Sequence, residues 1–292
     1  MDRVSVRRAF LRAQLAILVS TGVLGGGGAL LLHASGVAEL LEGPFIKEEG
    51  VTPALLNSLL FIALLLSGAL LMLLLAKFKL SLLKLMGSVA LSTASFLVGE
   101  VYAYAVGLQP LMADALSIGL AAITLYLTLA RPSNPASALL QITVGSLLGP
   151  ILASMAAPTS LLLMLLAAAL YDIYAVHRGP LKHLLREVLK SQGSSGAGRG
   201  PSPLAPLTVN FGGVAIGMGD VILYSSMGAL ALLSPRLNLL RFMVVLFSML
   251  IGVHLTLRLL EKRRYVAALP IPLSISLATY ISYNLLSAWL GA

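Results

Sequence analysis

The chain has 292 residues, 58% of them hydrophobic and 11% charged, with a mean hydropathy of +0.96. Soluble domains carry about a quarter charged residues, so this balance excludes one and marks an integral membrane protein. A net charge of +9 in such a chain belongs to cytoplasmic loops and not to a nucleic-acid surface. The lack of cysteine excludes disulfide and thiolate chemistry.

The apolar runs are about 20 residues long and lack the ~10-residue alternation of an outer-membrane barrel, so the expected fold is all-α. Arg3, Arg7, Arg8 and Arg12 precede the first run, Ala13 to Leu32. That run exceeds a signal-peptide core, and Gly25 to Gly28 make no clear cleavage site, so it reads as a retained span. Nine helices are expected at 13–33, 53–76, 82–107, 110–130, 137–156, 159–178, 208–233, 239–260 and 265–290. Pro, Gly or charged residues mark the joins, as at Gln109-Pro110, Arg131-Pro132, Pro158 and Ser234-Pro235-Arg236.

Nine spans put the termini on opposite sides. With the N-terminus inside, the inner segments hold 17 of the 20 Lys and Arg, and only Lys47, Arg236 and Arg241 lie outside. The first outer loop carries Glu39, Glu42, Glu48 and Glu49. The positive-inside rule therefore predicts a cytoplasmic N-terminus and an extracellular C-terminus in the cell membrane. The expected organisation is one membrane domain in two parts, 1–190 and 207–292, joined by a flexible cytoplasmic loop at 191–206. That loop contains QGSSGAGRGPSPLAP, a Gly/Ser/Pro composition that cannot bury a core. It reads as a linker or as a mobile flap over a site beneath. Just before it, 181–189 alternates apolar and basic residues as a membrane-surface helix does.

Two carboxylates fall inside spans, where an ionisable group is a functional-site hypothesis. Asp172 lies in the sixth span, 13 residues from its outer end at 159; Asp220 lies in the seventh, 13 residues from its outer end at 233. At 1.5 Å per residue both sit about 20 Å below the outer surface, on helices adjacent in sequence. Two carboxylates a few Å apart in low dielectric do not both ionise easily, so one keeps its proton. Such a pair suits peptide hydrolysis: one member takes a proton from water, the other donates to the carbonyl oxygen. That chemistry calls for no cofactor and no metal, and the four scattered histidines offer no ligand set.

Gly217 and Gly219 flank Met218 before Asp220, and small residues in a membrane helix allow close approach of a neighbouring span or a substrate. Ala268-Leu269-Pro270-Ile271-Pro272 opens the ninth span, with Pro270 six residues past Arg264, about 9 Å from the cytoplasmic face. Its two prolines free backbone groups, which suggests strand pairing with an extended substrate or simply a helix start. Tyr224 follows Asp220 by one turn, either bonding near the pair or packing, while Tyr171 adjoins Asp172 on a different face. Glu100, deep in the third span, reads as a paired structural group or part of a water path. Asp114 reads as solvated, and His33 and His254 as packing or interface residues.

Tyr171-Asp172, Gly217-Met218-Gly219-Asp220 and Ala268-Leu269-Pro270 resemble, in order, the YD, GxGD and PAL motifs of presenilin-type intramembrane aspartyl proteases. The nine spans match too, with the motifs on the sixth, seventh and ninth. The chain looks most like a microbial, archaeal homologue. The resemblance implies that Asp172 and Asp220 are the catalytic pair, that Ala268, Leu269 and Pro270 shape the site and contact substrate, and that transmembrane segments of single-pass proteins are cut. The chain lacks the large hydrophilic loop of animal presenilins, so neither self-cleavage there nor obligatory accessory subunits carry over; a homo-oligomer stays open. Signal peptide peptidases share the motifs in the opposite orientation, against the charge split here. Prepilin-type peptidases typically place a lysine soon after their GxGD, where this chain has Val221 and Ile222. Outside the proteases, buried carboxylates also build cation or proton transporters and leak channels. No repeat between halves supports a carrier, and a non-catalytic scaffold would not account for two depth-matched aspartates.

Overall fold

A computed structural model describes residues 3–179, 204–211, 214–262 and 266–291 of the chain. The expected surface helix at 181–189 and most of the expected loop at 191–206 lie outside the described residues. The protein is a multi-pass, all-α membrane protein, with one small hairpin among the described residues.

The first span is a continuous helical run: α1 (Arg3–Leu18), a π-helical stretch (Val19–Gly25) and α2 (Gly26–Ala34). The short α3 (Val37–Leu40) lies in the first loop, and the next two spans are α4 (Val51–Phe78) and α5 (Leu80–Ala105). Then come α6 (Pro110–Ala130), α7 (Pro135–Ser154) and α8 (Pro158–His177). Each of these three starts on proline, whose missing N–H costs nothing at a first helical position. The Asn134 side chain caps α7 by accepting from the Ala136 N–H at 2.9 Å.

The chain re-enters the description through a short 3-10 turn, Ala205–Leu207, and the hairpin β1 (Thr208–Phe211) and β2 (Val214–Gly217). These strands are antiparallel, with Thr208 opposite Gly217 and Val209 opposite Ile216. Three helices complete the fold: α9 (Met218–Leu233), α10 (Leu239–Lys262) and α11 (Pro270–Trp289). Among the described residues, seven helices are long and apolar enough to cross a membrane, and α9 is a shorter apolar one. The ninth, α11, is 20 residues long but carries Ser274, Ser276, Thr279, Ser282 and Asn284 on its length.

Eight of the nine expected helices appear, seven with ends shifted by at most about five residues and the first beginning at Arg3 instead of 13. The seventh differs: 208–217 is a hairpin, not helix, and α9 begins only at Met218. The reason is local. Thr208, Val209, Val214 and Ile216 are β-branched and flank Gly212-Gly213, a hairpin pattern that bulk hydropathy conceals.

The core gathers around α9. Twelve of its 16 residues are buried, against α7, the π-helical stretch and α10. Small residues permit this. A methyl group at Gly149 would stand 2.6 Å from the Ser226 backbone nitrogen, and one at Gly25 would strike the Ser225 hydroxyl. The Ser226 hydroxyl donates to the Gly149 carbonyl at 3.0 Å, and that of Ser225 to the Ser146 carbonyl. Close backbone approach with hydroxyl donors is how helices associate without a water-driven hydrophobic effect.

Candidate functional site

Asp220 sits in the first turn of α9, where Gly217 is the capping residue. The Gly217 N–H donates to Asp220 Oδ2 at 3.2 Å. Glycine has no side chain to return the bond, so this is half of a capping box, with the carboxylate facing the positive end of the helix. A methyl group on Gly217 would come 3.2 Å from Asp220 Oδ2, so glycine leaves the carboxylate its room. Among the described residues a methyl group on Gly219 would meet nothing within 4 Å, so the position borders open space. Met218 is buried beneath, its methyl 3.0 Å from where a methyl on Gly145 would stand.

Asp172 comes from α8, 14 residues after Pro158; Asp220 is 13 residues before Leu233. The matched depth of about 20 Å thus survives the shortening of the seventh helix. Both carboxylates are half-buried, and Asp172 lies within electrostatic range of Asp220 and Tyr224.

The third segment joins Asp172 to Tyr224, one turn along from Asp220, through one peptide group. The Leu269 N–H donates to Asp172 Oδ2 at 3.0 Å. The carbonyl of the same peptide, that of Ala268, accepts from the Tyr224 hydroxyl at 2.8 Å. Helix α11 starts at Pro270, so the Leu269 N–H belongs to the orphan donors of a helix start, and Asp172 satisfies it. The peptide between Ala268 and Leu269 is thereby clamped between the sixth and seventh spans. It is not an extended strand presented to a partner: its polar groups are taken, and from Pro270 the backbone is helical.

Of the residues singled out in the sequence, Asp172, Asp220, Gly217, Tyr224, Ala268 and Leu269 are drawn together by these contacts. Pro270 sets the helix start and Met218 packs below. The Tyr171 hydroxyl is buried without a hydrogen-bond partner among the described residues. Glu100 is half-buried five residues from the end of α5, and Asp114 is exposed in the first turns of α6. Neither is near the three segments in sequence or on their elements. His33 is exposed, and His254 meets Gln14. Among the described residues no three His, Asp or Glu side chains gather as a metal-holding group.

Sequence reasoning missed Gly252. A methyl there would stand 2.9 Å from the Pro272 nitrogen, so α10 braces the segment that carries Ala268 and Leu269. A lone glycine amid bulky neighbours, in FSMLIGVHL, was the available signal.

No protein-family model matches the sequence, and no curated protein sequence matches it. Among solved structures, a presenilin family intramembrane aspartate protease matches over 95% of this chain and 99% of its own, with a TM-score of 0.63. The fold is presenilin-like. Sequence identity across that match is 17%, so the likeness speaks for the presenilin-like architecture.

Proposed function

We propose that the protein is an intramembrane aspartyl protease of the GxGD type, with Asp172 and Asp220 as the catalytic pair. The observation that carries this reading is the peptide between Ala268 and Leu269. It ties the Asp172 carboxylate to Tyr224, one turn along from Asp220, so three segments distant in sequence meet at one depth. The presenilin-like fold supports it.

The ionised carboxylate takes a proton from water as the water oxygen bonds to the scissile carbonyl carbon. The protonated carboxylate gives its proton to the carbonyl oxygen, producing a gem-diol. The diol then collapses: a proton passes to the amide nitrogen, the C–N bond breaks, and an acid and an amine leave. Titration belongs to the pair and not to either member.

A helical substrate must unwind before its peptide bonds can be reached. The β1–β2 hairpin runs straight into Gly217 and Asp220 and, among the described residues, has two strands, which offers an edge for strand addition. An extended segment paired there lies beside the carboxylates. In this reading Gly219, bordering open space, leaves room for the substrate backbone, and Leu269 and Pro270 form the opposing wall. The substrates are single-pass proteins; the charge bias sets the N-terminus inside and favours partners with their own N-terminus outside.

The test is to incubate the purified chain with a single-pass substrate in liposomes beside Asp172→Asn and Asp220→Asn, reading fragment masses. Cleavage within the hydrophobic segment, abolished by each substitution, supports the assignment. Cleavage by both variants refutes it. An inert wild type that conducts protons or cations through the same liposomes would favour the transporter reading.

A further inference from the structure

A second polar feature lies away from this site, on the lipid-facing side of α1 and α10. Leu11, Leu15 and Leu18 of α1 and Leu250 and Ile251 of α10 line an open groove of about 360 Å³. On its wall Gln14 Nε2 lies 2.8 Å from His254 Nδ1, a bond between the first and eighth spans. When the Gln14 amide donates to Nδ1, the Nε2–H of His254 is left as a donor. Both polar groups stand in an otherwise apolar groove inside the bilayer, where such groups require partners.

Along both helices, the charge toward the basic end is of one sign. Arg258 follows His254 by four residues and Ile251 by seven, so it continues the same stripe of α10 toward the basic end, and it is exposed. Arg12 is also exposed, beside Leu11 on α1. In sequence, Arg3, Arg7, Arg8 and Arg12 on one helix and Arg258, Lys262, Arg263 and Arg264 on or after the other face only Asp2 and Glu261. Along the membrane normal the order is cations, then a hydrogen-bonding pair about half a turn past Arg12 and one turn past Arg258, then Leu15, Leu18, Leu250 and Ile251. That is the order of phosphate, glycerol ester and acyl chain in a diacyl phospholipid.

We propose that the groove between α1 and α10 holds one anionic phospholipid of the inner leaflet. Its phosphate lies at Arg12 and Arg258, an ester carbonyl at the Gln14–His254 pair, and an acyl chain along Leu15, Leu18, Leu250 and Ile251. Basic residues at an inner surface need only the orientation rule to explain them. The exposed Gln14–His254 pair, set in an otherwise apolar groove, is what that rule does not require. The proposal does not rest on the protease reading.

The test uses the full chain, stripped of lipid in neutral detergent and mixed with micelles of phosphatidylglycerol or of phosphatidylcholine, read by native mass spectrometry. Wild type retains one phosphatidylglycerol, and phosphatidylcholine is retained about tenfold less. The Arg12→Gln, Arg258→Gln double variant loses that preference, whereas Leu15→Trp, which fills the groove and keeps every charge, loses retention of either lipid. Thermal unfolding in the same neutral detergent establishes that each variant is folded, and only wild type is stabilised by phosphatidylglycerol, as mass action requires of a ligand bound to the folded state. Equal retention of the two lipids overturns the proposal. So does retention unchanged in either variant, or displacement of the lipid by chain-free glycerophosphoglycerol at equal concentration. A lipid-free dimer dissolved by Leu15→Trp would assign the groove to a second copy and equally refute it.

Discussion

Helices α4 and α9 use the membrane in opposite ways. Helix α4 is 28 residues long and has the highest hydropathy of the candidate spans, 2.9, yet only Ala54, Asn57, Ser58 and Ala76 are buried. Helix α9 is 16 residues long, falls short of a standard span, and is buried over nearly its whole length. The first meets lipid with leucine. The second meets protein with Gly, Ala and Ser, and it carries Asp220. Hydropathy therefore locates spans, whereas small residues and intramembrane carboxylates locate the site, because lipid supplies no water to solvate a polar group and only protein can.

The largest effect expected from this contrast is on cleavage. Asp172→Asn and Asp220→Asn each lower the rate by on the order of a thousandfold or more, as removal of one member of a unit that acts together does. Both variants keep the circular dichroism and thermal stability of wild type, since asparagine can still accept from the Gly217 or Leu269 N–H. Retained activity in either would remove α9 from its special place.

Next come the glycines. Gly252→Val drives side-chain atoms into Pro272 and Gly149→Ala drives a methyl into Ser225, so each lowers stability by about 1–3 kcal/mol in detergent unfolding. Gly68→Ala in α4, where nothing lies within 4 Å, stays within about 0.5 kcal/mol of wild type or gains slightly. Equal costs at lipid-facing Gly68 and at Gly149, which packs on α9, would dissolve the contrast.

Smaller still is Tyr224→Phe. It leaves the part-buried Ala268 carbonyl without its donor and costs about 1 kcal/mol of stability. With the peptide of Ala268 and Leu269 loosened, cleavage falls by about tenfold while binding of an intact substrate changes less; a fall in stability alone would reduce Tyr224 to packing. The smallest effect is that of Leu59→Ala, a residue 64% exposed on α4, which leaves both stability and cleavage unchanged within about 0.5 kcal/mol.

Much of this architecture was legible in the chain. Long apolar runs bounded by Pro and charge located the spans, and counting residues from their outer ends brought Asp172 and Asp220 to one depth. What was hidden has physical causes. The hairpin at 208–217 is as apolar as a helix, so hydropathy merged it with α9, and only the alternation of β-branched residues around Gly212-Gly213 distinguished it. The clamp on the peptide of Ala268 and Leu269 depends on an orphan N–H and on the reach of Tyr224 across 44 residues of sequence, and backbone donors leave no mark in a sequence. Gly252 likewise acts through what it lacks.

The central claim is that Asp172 and Asp220 face one another at a single site, and the absence of cysteine from the chain makes it directly measurable. The Asp172→Cys, Asp220→Cys double variant, treated in membranes with a short bifunctional thiol reagent, should form an intramolecular cross-link that joins the peptide around 172 to the one around 220 after proteolysis. Neither single variant should do so. If both cysteines take up a monofunctional reagent, yet no cross-link forms between them, the two carboxylates do not share a site and the account fails.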